Sequence, residues 1–358
     1  MTAFRGNRAE PVASSRAATG GGAADPVGTA DRLRHDTNRR IAAVLATAPP
    51  GSVGEVHVGW VAAHEAATCP ARYRVGGEHG WAFPGWSPPL AAGACGRAAL
   101  AHHIAAADRT GRPPTLPIPL DAIRAWMRAL RPSAATAPDP PMDHSSVGDW
   151  VRETWDAADT VTLAAVAANA GRWLAGFLRV VGWPLPPELT LLNAPGPAAG
   201  RPPRWPAHND PLVKVTCGAD ARLGRVTGTG RFVLVVHRVT SGDDGALRDR
   251  AAFEAASGAL AIGVVPGSVL ITAGDTGERL TVPIDEHLLA LGADRIVAVV
   301  AERVMALGRG FDPGDATPSA ACRDCDRLAD CPPGRDWMRV AERWQGGLPV
   351  RPPVRAAL

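Results

Sequence analysis

The chain has 358 residues, 46% of them hydrophobic, and a formal net charge of +3, which is enough for one large domain or two modest ones around an apolar core. Its cations are nearly all arginine, with Lys214 as the one lysine; so small a surplus fits a nucleic-acid partner without requiring one, because non-specific binders carry a stronger basic excess. No run of about 18 apolar residues occurs, which argues against a membrane span, and no apolar stretch follows the first arginines, so a cytoplasmic protein without a secretory signal is expected.

Residues 1–30 are rich in Gly, Ala, Ser and Arg without periodicity and read as a disordered tail. The region 31–190 reads as helical. A short helix is expected from Asp31 to Ala48, and a second from Val53 to Thr68 with Val56, Trp60, Ala63 and Ala67 on one face. Trp81–Pro89 reads as a loop, and helices are expected at Ala91–Ala107 and Leu120–Leu130. After the Pro-rich linker Pro132–Pro141, Ser146 and Asp149 resemble a capping box. The most regular helical pattern follows, with Leu163, Val166, Ala170, Trp173, Phe177 and Val181 on one stripe and Pro184 as its stop. Asn193–Asp210, again rich in proline, reads as a loop.

The period then changes. Within 205–310, short strands rich in Val, Leu and Thr are expected at Leu212–Gly218, Arg231–Val239, Ser268–Ala273 and Arg279–Pro283. A helix is expected from Gly245 to Gly263. A longer one should run from Asp285 to Leu307, capped by Asp285 and turning Leu288, Leu289, Ile296, Val300 and Val304 inward. Residues 311–345 form a cysteine-bearing tail, and 346–358 a flexible end.

That tail reads CRDCDRLADCPPGRDW from Cys322 to Trp337, a C-x2-C-x5-C spacing. Two thiolates separated by two residues chelate one metal because the intervening turn brings both sulfurs to one side, and Cys331 adds a third after a loop. Three of the six cysteines within ten residues, in a reducing compartment, point to metal rather than disulfides. A tetrahedral or cubane site needs a fourth ligand. Cys69 fits best, because it ends a helix ahead of Pro70 and is presented at a turn, whereas Cys95 and Cys217 read as small buried hydrophobes. Spacing alone leaves zinc and a 4Fe–4S cluster both open.

The cysteine in AATCPARYR together with the C-x2-C-x5-C tail resembles the iron staple of RecB-like nucleases of the PD-(D/E)XK superfamily, including AddB-type helicase–nucleases and CRISPR-associated exonucleases. The resemblance spans roughly Val53 to Trp337. It implies an α/β fold of the restriction-endonuclease-like (PD-(D/E)XK) kind, a mixed sheet flanked by helices, with an N-terminal helical region and a four-Cys cluster of Cys69, Cys322, Cys325 and Cys331. It also implies DNA, single-stranded or at duplex ends, as the substrate class, with helicase or other repair and defence proteins as partners and Mg²⁺ at the active centre.

The family's chemistry uses an early helical His, an Asp on a strand, and an Asp/Glu-x-Lys on the next strand; the carboxylates hold Mg²⁺ and the lysine orients the attacking water. Carried over by position, His103 (beside His102) is the early His, and Asp220 in VTCGADARLG is the strand-end Asp followed by a Gly. The next strand offers Val236–His237–Arg238 or His237–Arg238–Val239 instead of the third motif. The family's Gln-x-x-Tyr pair is absent, since the sole Gln is Gln345 and the sole Tyr is Tyr73. Three readings follow. The leading one is a DNA-binding protein that keeps fold and cluster but has a degenerate catalytic centre. In the second, an active Mg²⁺-dependent DNA exonuclease has a migrated site: Glu254 supplies the missing carboxylate and Arg238 or Lys214 replaces the lysine, Lys214 sharing strand parity with Asp220. The third is a structural or redox-sensing iron–sulfur partner protein.

Overall fold

The computed structural model describes residues 25–78, 96, 160–181, 189–191, 204–209, 211–225, 232–238, 244–273, 279–309, 311–319, 322, 325 and 327–344. Apart from Gly96, the expected helices at 91–107 and 120–130, the linker 132–141 and the capping box at Ser146 lie outside them. Mixed α/β architecture, as expected, accounts for the described residues, which form two compact units. One comprises the described residues within Met1–His35, Phe83–Trp205 and Thr216–Ala293; the other comprises those within Asp36–Ala82, Pro206–Val215 and Asp294–Leu358.

The first unit is built on a five-stranded sheet. Its strands are β2 (Leu189–Leu191), β5 (Ala221–Arg225), β6 (Phe232–Arg238), β7 (Ser268–Ala273) and β8 (Arg279–Pro283), hydrogen-bonded in that order. All pairs are antiparallel except β6 and β7, which run parallel with Val233 opposite Ser268 and Arg238 opposite Ala273. A parallel pair needs a crossover, and the helix α5 (Asp244–Ile262) provides it. Side chains alternate along β6. Phe232, Leu234 and Val236 enter a core with Ala251, Ala255 and Ala259 of α5, Ala30 of α1 (Pro26–Leu45) and Leu289 of α6 (Glu286–Arg309). His237 faces the other way, its ring 5.1 Å from Trp173 and 5.8 Å from Phe177. Those aromatics belong to α4 (Thr160–Val181), whose Val166, Ala170, Trp173, Phe177 and Val181 are buried at the expected helical spacing. The sheet is therefore covered by a helix on each face.

Residues of α5 from Ala251 to Leu260 are all buried, and seven of them are Ala, Ser or Gly. Small side chains let neighbouring backbones come close. Gly292 of α6 is the clearest case, because a Cβ there would stand 2.2 Å from the Ala252 carbonyl oxygen. The helix starts as expected, with Asp285 Oδ1 accepting from the Leu288 N–H at 2.8 Å.

The second unit holds a three-stranded sheet of β1 (Val56–Val58), β4 (Leu212–Thr216) and β3 (Arg204–Asn209), with β4 central. The helices α2 (Trp60–Thr68), α3 (Pro70–Glu78), the later part of α6 and α7 (Pro332–Trp344) complete it. β1 and β4 are parallel, and Val56, Val58, Val213 and Val215 are at most 2% exposed. Arg74 of α3 is also buried, and its guanidinium donates to Glu302 at 2.6 Å and to Asp315 at 2.5 Å. A buried cation flanked by two carboxylates fixes the segment after α6 against α3.

Three expectations are corrected. Residues 26–30, expected within a disordered tail, open α1, and Ala30 is buried in the core. Val53–Thr68 is a strand followed by a helix, because β-branched Val56 and Val58 alternate into the sheet and Gly59 takes an extended conformation (φ −119°, ψ 175°) before α2 begins. The four-residue step from Val56 to Trp60 imitates helical spacing. Asn193–Asp210 is not all loop: Trp205 and Ala207 are buried at alternate positions of β3, and Pro206 sits between them on a strand at the edge of the sheet, where a missing N–H is tolerated.

Candidate metal centre and carboxylate site

Cys69 lies between two helices. It ends α2 with its N–H on the Glu65 carbonyl at 2.9 Å, and Pro70 opens α3. The tail cysteines sit on consecutive tight turns: the Cys325 N–H reaches the Cys322 carbonyl at 3.3 Å, and Leu328 reaches the Cys325 carbonyl at 3.0 Å. Cys331 follows the 3-10 turn Leu328–Asp330, and Pro332 then starts α7. These turns, together with the α2–α3 junction, bring Cys69, Cys322, Cys325 and Cys331 into the lining of one pocket of about 30 Å³. A single water needs roughly 10–15 Å³ on the same scale, so the space exceeds one water-sized group.

Several features make the lining suited to sulfur-bound metal. The Ser319 N–H donates to Cys322 Sγ at 3.4 Å, the type of contact that stabilises a thiolate. Burial raises the Cys325 thiol pKa; the Arg327 N–H and, after it, the Arg72 charge pull it back down, and the neighbouring Cys322 and Cys69 push it up. Gly334 closes one wall, where a Cβ would stand 3.2 Å from Cys331 Sγ and 3.5 Å from Cys322 Sγ. Phe311, Pro318 and Leu328 add apolar surface. Among the described residues no three His, Cys, Asp or Glu side chains are drawn together tightly enough to hold a metal ion as they stand, so the thiols share a pocket without closing on one point. Their number and chemistry fit a four-thiolate group.

Cys217 is elsewhere. It is 1% exposed in the first unit, with Sγ 3.8 Å from the Glu254 carbonyl, and burial drives its thiol pKa far up. It packs as the small hydrophobe its sequence context suggested, while Cys95 lies outside the described residues.

The carboxylates of the first unit come from two elements. Asp220 stands at the entrance of β5 rather than at the end of the preceding strand, because β4 stops at Thr216. Its N–H bonds the Val235 carbonyl at 2.8 Å, and its Oδ2 accepts from the His237 N–H at 2.7 Å. Glu254 of α5 is fully buried; its Oε2 accepts from the Gly218 N–H at 2.7 Å, and Oε1 is 3.7 Å from Arg250 Nε with no hydrogen-bond partner among the described residues. Burial raises the Glu254 carboxyl to about 7; Arg250 and the Gly218 N–H oppose this, and the Asp220 charge adds to it.

The remaining candidates divide. Ala221 pairs with Val235, so one step further along the antiparallel ladder Val236 faces Asp220. Val236 is 0% exposed within the α5-side core. The His237 ring points to the opposite face, where Nδ1 meets Thr272 Oγ1 at 2.6 Å, and burial lowers its pKa. Arg238 ends β6, but its side chain is outside the described residues, as are His102 and His103. Lys214 does not share a strand with Asp220. It lies on β4 of the other sheet, paired to Glu55, and the parity argument fails because the strand is broken between residues 216 and 221.

Sequence reading missed Glu65 and Arg72, which line the cysteine pocket. Both were within reach of a periodicity argument, since Glu65 precedes Cys69 by one helical turn and Arg72 follows it by three residues. Comparison with models of known protein families and with curated proteins gave no match for this chain.

Proposed function

We propose that this chain is a DNA-binding protein of the RecB-like PD-(D/E)XK kind, held by a 4Fe–4S cluster on Cys69, Cys322, Cys325 and Cys331, with a degenerate catalytic centre. The observation that carries this reading is the shared pocket: four thiols from residues 69 and 322–331 line it together. The order of elements adds support. Asp220 at a strand entrance, an antiparallel neighbour β6 and then helix α5 follow the family's succession of metal-binding Asp, second strand motif and helix. Opposite Asp220, the core residue Val236 offers no oxygen, and a hard cation such as Mg²⁺ takes oxygen ligands. DNA without turnover is the activity that remains.

The test is purification without oxygen, with iron, sulfide and zinc determined per chain, followed by binding to labelled single-stranded and duplex DNA over a salt series. Iron and sulfide with salt-sensitive DNA binding is the expected result. Stoichiometric zinc overturns the cluster assignment, and no DNA binding at low salt leaves a structural or redox-sensing role.

A second reading, an active exonuclease with a migrated site, draws on the Asp220 charge felt at Glu254 and on the Glu254 oxygen that lacks a hydrogen-bond partner among the described residues. Mg²⁺- or Mn²⁺-dependent DNA cleavage lost in both Asp220→Ala and Glu254→Gln would establish it; no cleavage is expected if the centre is degenerate.

A further inference from the structure

Among the described residues lining the cysteine pocket, Glu65 and Arg72 are the charged side chains other than the thiols. They bracket Cys69 along the chain, one turn before it on α2 and three residues after it on α3. Arg72 Nη2 lies 3.9 Å from Glu65 Oε1, and the two side chains are 33% and 29% exposed. Neither is lost in bulk water, so each acts on the pocket through a partly desolvated path where charges are weakly screened.

We propose that Arg72 and Glu65 form an opposed charge pair that sets the reduction potential of the cluster bound by the four cysteines. The inference rests on the cluster reading above. Four thiolates more than offset the positive charge of an iron–sulfur core, so the assembly is an anion, and accepting one electron makes it more negative. A nearby cation favours that reduced form, and a nearby carboxylate opposes it. Glu65 reduces what Arg72 contributes, and the balance between them fixes how readily the electron is taken.

The experiment is a dye-mediated redox titration of the full chain, with dithionite as the electron donor and the visible absorbance of the cluster as readout. Iron and sulfide are measured on each sample first. Arg72→Leu should make reduction about tenfold less favourable, a drop of about 59 mV for a one-electron couple. Glu65→Gln should shift it upward by a similar factor, and Arg72→Lys should stay near the parent value. Shifts of opposite sign at two adjacent residues are not what loss of packing produces. Iron-loaded variants with unmoved or same-sign potentials overturn the charge-pair proposal while leaving the cluster intact, as does a cluster that dithionite cannot reduce in any variant. A parent chain without iron overturns the cluster reading itself.

Discussion

Glu254 has no solvent contact, and its proton equilibrium records that. Its carboxyl is raised from 4.5 to about 7, by burial first and by the Asp220 charge against the help of Arg250 and Gly218. Between those two values the native state holds a proton that the unfolded chain has released. Stability therefore falls as pH rises through this window and levels off above it. Thermal unfolding of Glu254→Gln should lack that slope, and its advantage over the parent should grow to roughly 3 kcal/mol once the pH is above 7. Equal slopes in both proteins would show that the carboxyl ionises freely. The residues that bear chemistry were unevenly legible. The tail cysteines stand out because three sulfurs fall within ten residues, and Cys69 because Pro70 marks a turn; the four line one pocket. Glu254 carried only the hint of one acid inside the apolar run AAFEAASGAL; its hydrogen bond from the Gly218 N–H joins residues far apart in sequence.

Elements were legible where one period dominates a long enough stretch. Ser268–Ala273 and Arg279–Pro283 coincide with the strands expected, and α5 and the stripe of α4 are close to expectation, because β-branched runs and a wide apolar face each suit one conformation. β1, with three residues, was hidden by its short length; β3 was hidden by Pro206, whose acceptability depends on an edge position that composition does not reveal. The packing of α6 on α5 was equally invisible, since Gly292 looks like any helix-weakening glycine until Ala252 is placed against it. Gly292→Ala should destabilise the protein by about 1–3 kcal/mol through forced separation of the helices. Gly308→Ala, in the same helix with nothing within 4 Å of the added carbon, should be neutral or raise stability by up to about 1 kcal/mol. Paired denaturant titrations distinguish a steric cost from a propensity gain; similar losses at both sites would remove the close-approach argument.

For the whole molecule, each compact unit is gathered from three separated stretches, so neither can be cut out as one continuous segment. The cysteine pocket belongs to one unit, yet it joins residue 69 to residues 322–331. If a single bound group ties them, Cys69→Ser and Cys322→Ser should each lower the melting temperature by a similar amount, and the double variant should fall no further than either alone. Cys217→Ala should leave any group bound in the pocket in place, since that sulfur is buried beside Glu254 and away from the pocket. Additive losses would mean two independent packing defects. Synthesis gives the same arrangement a direction in time. The ribosome releases Cys69 early, and its three companions follow only after residue 331 has been joined. Until then the early thiol has no complete set of neighbours, so the pocket itself can be completed only late in synthesis, and any message broken before that point yields a chain with an orphan sulfur.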